Sequence, residues 1–431
     1  MGKRELGWLV GIFAVFAALY TLPLESPRFL GAVFESLRLL RWYAREHVIL
    51  CLLTAFFIAG AIGIFLSQGS VMKYLGAGAK KVVAYGVASV SGSILAVCSC
   101  TVLPLFAGIY KMGAGIGPAT AFLYSGPAIN VLAIILTAKI LGARMGIARG
   151  VGAVLFSVII GLAMAFFFKE EKAPTIKAQQ VGDDDSLGLL ASAVLVFSMM
   201  LVLVFANWAR PGTESSGFFA AVYSVKWYLT GASALVMMGI LSRIMAIPLW
   251  QFALGGLVTG AALLIPGATP NIVFLVGILA LSVVLFVNRG KPREWLESTT
   301  GYAIQIMPLL FAGVAVAGFL LGTPGHEGII PARYVESALG GNGIGSTFLA
   351  SLAGAFMYFA TLTEVPIIQG LMDKGMGEGP ALALLLAGPA LSLPNMLVIR
   401  SIMGTKKTVV FVVLVVMLST MAGYGYSMLP H

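Results

Sequence analysis

Charge is what this sequence has least of. Of its 431 residues, 10% are Asp, Glu, Lys or Arg and 59% are hydrophobic. Soluble domains carry roughly 25% and 45–50%. With 27 basic and 17 acidic side chains, a chain this long cannot clothe a water-soluble surface. That scarcity excludes a cytosolic enzyme and a disordered chain. The three cysteines, two of them in Cys98-Ser99-Cys100, exclude a disulfide scaffold. The three histidines, His47, His326 and His431, lie too far apart to suggest a metal cluster. Phosphate-binding loops, catalytic triads and zinc-protease helices leave no signature, so no enzyme activity and no cofactor are expected. The alternating ten-residue segments of a membrane barrel are missing as well.

What the chain does have is long apolar runs. Stretches long enough to span a bilayer fall near 6–24, 47–67, 82–100, 117–141, 147–168, 187–207, 222–242, 248–265, 271–288, 300–321, 346–363, 380–400 and 408–429. They predict an all-α polytopic membrane protein of roughly 10–13 helices. Gly and Pro are plentiful, at 52 and 19 residues, which suits close helix approach and kinked spans. The basic start and the apolar stretch 8–24 resemble a signal peptide, but no small-residue cleavage site follows, so a retained anchor is expected. Residues 28–46 place Arg38, Arg41 and Arg45 at helical spacing and predict an amphipathic interfacial helix. The net charge of +10 comes from pairs beside the apolar runs: Lys3/Arg4, Lys80/Lys81, Arg144/Arg149, Arg289/Lys291/Arg293 and Lys406/Lys407. That distribution points to loop charges against membrane lipid, not to nucleic acid. Arg210 and Lys226 are expected to flank an insert helix and snorkel.

An internal repeat organises the whole. Shifted by 262 residues, PLFAGIYKMGAGIGPATAFLYSGPA (104–128) overlies PIIQGLMDKGMGEGPALALLLAGPA (366–390), with 12 of 25 positions identical. Shared composition alone would give roughly two. Two homologous repeats are therefore expected, 47–168 and 300–431. Ahead of them lies an N-terminal helix with an amphipathic linker, 1–46. A polar loop, 169–186, and a central helical insert, 187–299, separate them. Such duplication is typical of secondary transporters. Parallel and inverted repeats both remain open, because the crossings within the insert are not fixed by hydropathy.

Pro within a helix frees the carbonyl four residues earlier. Pro104 and Pro127 in the first repeat, and Pro366 and Pro389 in the second, each pair separated by a Gly-rich turn and ending in Gly126-Pro127 or Gly388-Pro389, predict broken or re-entrant helices. Lipid cannot satisfy freed backbone groups, so these segments are expected to line a substrate site. Cys98 and Cys100 precede the first break; in an unwound segment both sulfurs could meet one soft ion or metalloid. Glu364, at the repeat position of Val102, is a carboxylate at membrane depth and the candidate for a coupling proton or ion. Ser99, Thr101, Asn130, Thr363 and Asn395 add uncharged polar groups near the same breaks. Cys51 lies in an apolar run and reads as a core residue.

At VCSCTVLPLFAGIYKMGAGIGPATAFLYSGPAIN and TLTEVPIIQGLMDKGMGEGPALALLLAGPALS the chain resembles the predicted permease family of ArsP/YraQ type. That family includes bacterial and archaeal exporters of trivalent organoarsenicals. The resemblance implies an inner-membrane permease, with Cys98 and Cys100 in the cysteine motif and Glu364 in its second-repeat counterpart. Some relatives carry a Cys in that counterpart, where this chain has Thr363-Glu364. The expectation is an exporter of a small solute, such as a trivalent organoarsenical, through a site between the repeats. A gated channel of paired re-entrant hairpins and a membrane thiol redox enzyme are the alternatives. Membrane lipid, the solute and a coupling proton are the expected partners, and the oligomeric state is left open.

Overall fold

The computed structural model describes residues 13, 16, 20–21, 23–65, 80–94, 99–129, 131–168, 186–208, 218–323, 326–357, 364–373 and 375–429. The polar loop and most of the first expected span lie outside them.

The described chain is almost wholly helical. Helix α1 (Pro27–Tyr43) runs through a π-helical segment (Ala44–Leu53) into α2 (Thr54–Phe65). There follow α3 (Lys81–Ile94), α4 (Ser99–Lys111), α5 (Ile116–Ala128), α6 (Val131–Ile140) and α7 (Ala143–Phe167). The insert supplies α8 (Ser186–Ala206), α9 (Phe218–Met245), α10 (Leu249–Ala261) and α11 (Pro270–Val287). The long α12 (Lys291–Leu321) leads through a two-stranded hairpin, β1 (Gly322–Thr323) and β2 (His326–Glu327), to α13 (Ala332–Leu339). Helices α14 (Ile344–Phe356), α15 (Glu364–Asp373), α16 (Glu378–Ala387), α17 (Leu393–Met403) and α18 (Thr405–Ser427) complete the chain. Six described stretches are long and apolar enough to cross a membrane, including α7, α12 and α18. The large hydrophobics left exposed on α7, α9 and α11, such as Phe166, Leu235 and Phe286, suit a lipid solvent.

Two expectations change. The stretch 28–46 is no isolated surface helix: α1 packs along α12, with Ser36 donating to the Ala315 carbonyl at 2.8 Å. Its Glu35 is buried, bridging to Arg38 at 3.0 Å and accepting from Thr323. Its amphipathic pattern therefore reflects a protein-facing side. Pro104 lies inside α4 without ending it, so within the described residues the interruptions fall elsewhere. They come after Gly126-Pro127, where the axes of Ile116–Ala128 and Ala133–Ile140 differ by 45°, and after Gly388-Pro389, between α16 and α17.

Equivalent contacts recur at the 262-residue spacing. Helix α5 packs on α7 as α16 packs on α18, and α3 on α5 as α14 on α16. The turns before α5 and α16 each use a left-handed glycine, Gly113 (φ 99°) and Gly375 (φ 103°). A Cβ on Gly117 would lie 2.8 Å from the Gly161 carbonyl and 2.9 Å from Ala165 Cβ. One on Gly379 would lie 2.8 Å from the Gly423 carbonyl and 3.0 Å from Ser427 Cβ, 262 positions on in every case. Residues without a side chain are the ones that allow both crossings.

Direction follows from end contacts. Arg144, at the start of α7, lies over the ring of Tyr426, at the end of α18, at 5.9 Å. Lys407, at the start of α18, donates to the Tyr110 hydroxyl (2.9 Å), next to the turn whose far side begins α5 against the end of α7. Helices α7 and α18 pack together and run antiparallel.

Candidate functional site

The junction of the two halves holds a buried ion pair. Glu364 is the first residue of α15 and is 1% exposed; Arg149, two turns into α7, is 0% exposed. Arg149 Nη2 lies 3.1 Å from Glu364 Oε2. Its Nη1 donates to Thr137 Oγ1 at 2.9 Å, and that hydroxyl in turn donates to the Ala133 carbonyl at 2.7 Å, which fixes its orientation. The first turn of a helix favours a carboxylate, because its backbone N–H groups are unpaired. The geometry joins helix α7 of the first half, through Thr137 of α6, to α15 of the second.

Satisfaction is incomplete. Among the described residues Glu364 Oε1 and Arg149 Nε are buried without a hydrogen-bond partner. A carboxylate and a guanidinium withdrawn from water need their remaining lone pairs and protons satisfied if the pair is to be merely stabilising. Gly388 makes room for the free oxygen, since a Cβ there would stand 3.0 Å from Oε1. Close by, Tyr124 donates to the Leu386 carbonyl at 3.1 Å. Tyr124 and Leu386 lie 262 positions apart, the spacing of the sequence repeat. The Tyr124 hydroxyl thus caps a carbonyl next to the break that Gly388-Pro389 opens.

Of the residues singled out from sequence, the structure brings Glu364 and Gly388 together. Gly126, Pro127 and Pro389 are buried beside the breaks, and Thr101 is buried in α4. Asn395 is buried in the first turn of α17, which packs on α4 and α12; its Oδ1 has no partner among the described residues. Ser99 and Cys100 begin α4, and Pro366 lies in the first turn of α15. Cys98, Asn130 and Thr363 lie outside the described residues. Cys51 is in the core, as expected.

Arg149 was expected among loop charges, and this is the main correction. It sits inside a membrane-length helix, because its charge is held by Glu364 and Thr137 instead of water. A signal for it exists in the repeat. Position 149 corresponds to Phe411 and position 364 to Val102, so each half carries one charge where the other carries a buried apolar side chain.

A family model described as a predicted permease, ArsP_1, matches residues 34–428. The UPF0718 protein MJ0584 of Methanocaldococcus jannaschii is 40% identical over 386 residues, covering 89% of this chain and 92% of that protein. The UPF0718 protein YraQ of Escherichia coli is 43% identical over 56 residues, 13% of this chain and 16% of that protein. No solved structure matches.

Proposed function

Because the chain belongs to the ArsP_1 family of predicted permeases, we propose that it moves a small solute across the cell (inner) membrane by alternating access. Two homologous, inverted halves would rearrange about the Arg149–Glu364 junction. One observation carries this reading: α7 and α18, counterparts at the 262-residue spacing, are both of membrane length, touch, and run antiparallel. Counterparts that cross a bilayer in opposite directions make the repeats inverted, with an axis in the membrane plane. The broken elements of both halves then meet at depth, where Tyr124 touches Leu386.

A junction closed by a fully buried ion pair favours a carrier over a gated channel, whose pore would need a continuous wetted path. Glu364 is the coupling group: protonation releases it from Arg149 and lets the halves part. For the cargo we propose a trivalent organoarsenical or another soft metalloid, exported, with Cys98 and Cys100 as ligands. Thr101, Asn130, Thr363 and Asn395 would line the path.

Topology gives the direct test. Single cysteines at Lys111 and Asp373, counterparts beside the two Gly-rich turns, are expected to react with an impermeant maleimide from opposite sides of the membrane; labelling from one side overturns the inverted arrangement. In everted vesicles, Glu364→Gln is expected to flatten the pH dependence of flux, and an unchanged profile removes the coupling role. Resistance of a sensitive host to phenylarsenite is expected to disappear with Cys98→Ser/Cys100→Ser, and full resistance would remove the thiol site.

A further inference from the structure

Arg149 has a chemistry that the thiol motif does not explain. A guanidinium is a planar fork built for carboxylates and oxyanions. Here it is 0% exposed, its Nη1 donates to Thr137, and its Nη2 meets a side-chain carboxylate of the other half. Two of the polar atoms in that contact, Arg149 Nε and Glu364 Oε1, have no partner among the described residues. Ionisable groups at membrane depth are costly and are retained where something is bound or moved.

We infer that Arg149 is the binding residue for a small carboxylate with an apolar body, which takes the place that Glu364 occupies in this closed arrangement. This deepens the permease reading and rests on it, but not on the nature of the thiol-bound cargo. The class follows from two observations. The occupant of the fork is already a carboxylate, so a carboxylate replaces it with the same shape and charge. The surroundings are apolar: Val365, Leu384 and Leu386 are fully buried, and Gly388 sets only a hydrogen beside Oε1, where a Cβ would crowd it at 3.0 Å.

Charge balance sets the stoichiometry. When Glu364 takes a proton it leaves the fork, and the incoming anion restores neutrality around Arg149, so one proton enters with each carboxylate. The other ionisable groups on the elements around Glu364 are Arg144 on α7, Lys139 on α6, Tyr124 on α5, Glu378 on α16 and Asp373 on α15 itself. Arg149 is the one paired with its carboxylate.

The test is a binding titration on the purified full chain in detergent with benzoate, acetate and sulfate. Glu364→Gln removes the competing charge from Arg149 while keeping the side chain's shape, and is expected to bind benzoate at least about ten-fold tighter than the wild type at pH 7.5. Wild-type affinity is expected to rise up to about ten-fold per unit fall in pH, as uptake of one proton requires, and the variant's affinity to stay flat. Acetate should bind more weakly than benzoate and sulfate more weakly still. Adding Arg149→Gln to Glu364→Gln should abolish binding, whereas Arg149→Lys should keep a weakened remnant. No gain in Glu364→Gln overturns the proposal, as does benzoate binding that survives Arg149→Gln. Sulfate binding as tightly as benzoate would overturn the carboxylate class. If flux in vesicles persists while Glu364→Gln gains nothing, this site fails and the permease reading stands. If benzoate binds as stated but no solute crosses, the permease reading alone fails.

Discussion

Arg149→Ala is expected to destabilise the protein by about 3–5 kcal/mol, the cost of stranding one member of a buried ion pair. The substitution removes the partner of Glu364 Oε2, and Oε1 has none among the described residues, so the carboxylate would be left uncompensated at membrane depth. Glu364→Ala strands the guanidinium in the same way, with Thr137 its remaining partner among the described residues. Arg149→Phe/Glu364→Val should behave differently. It installs the residues found at the counterpart positions, Phe411 and Val102, both buried in this fold. Replacing a buried pair with apolar side chains is commonly neutral or stabilising, so the double variant should regain most of the lost stability. A double-mutant cycle of Arg149→Phe, Glu364→Val and their combination in reversible detergent unfolding should return a coupling of about 3 kcal/mol, and transport should be absent from every variant that lacks either charge. If Arg149→Ala unfolds with the wild type, the pair is not confined as described. If the double variant transports normally, its charge serves structure alone.

Hydropathy placed the membrane class and the six membrane-length helices found among the described residues, because bilayer thickness sets a minimum length for a crossing helix. The repeat motif located the Gly-rich turns and the breaks after Pro127 and Pro389, where missing N–H groups and left-handed glycines have local causes. Pro104 shows the limit of that reading. Proline removes a bond but need not end a helix when neighbours hold the chain, and α4 is packed against α2 and α5. Glu364 stood out because a carboxylate in an apolar run has few explanations. Arg149 did not, since arginine beside an apolar run usually snorkels, and the carboxylate that balances its buried charge, Glu364, comes 215 residues later. Local pattern cannot supply a partner that far away. Comparing the two repeats position by position could have done so, through the Arg-for-Phe and Glu-for-Val exchanges. Interhelical direction was likewise hidden, and emerged from Arg144 against Tyr426.

The glycine crossings carry the other large effect. Gly117→Ala and Gly423→Ala are each expected to cost about 1–3 kcal/mol, because overpacked methyl groups force backbone to move. A methyl on Gly117 would meet the Tyr85 hydroxyl, the Gly161 carbonyl and Ala165 Cβ; one on Gly423 would meet the Gly379 carbonyl, Ala383 and Thr347. The obstacles include backbone carbonyls of a packed helix, which cannot rotate aside as a side-chain tip can. The two sites lie in different halves without shared neighbours, so their costs should add in the double variant. Gly231→Ala and Gly239→Ala in α9 serve as controls, since a Cβ there meets nothing within 4 Å and a helical alanine is favoured over glycine. Thermal unfolding in one detergent would rank all five variants, with the controls at or slightly above the wild type. Equal losses at Gly117 and Gly423 would be the energetic mark of two equivalent crossings, each clamping its own half as a unit. Motion would then be confined to the seam between the halves, which the Arg149–Glu364 pair, the Tyr124 and Tyr110 hydroxyls and Arg144 over Tyr426 bridge. A large loss at one crossing and none at the other would break that equivalence and, with it, the argument that the halves move as matched bodies.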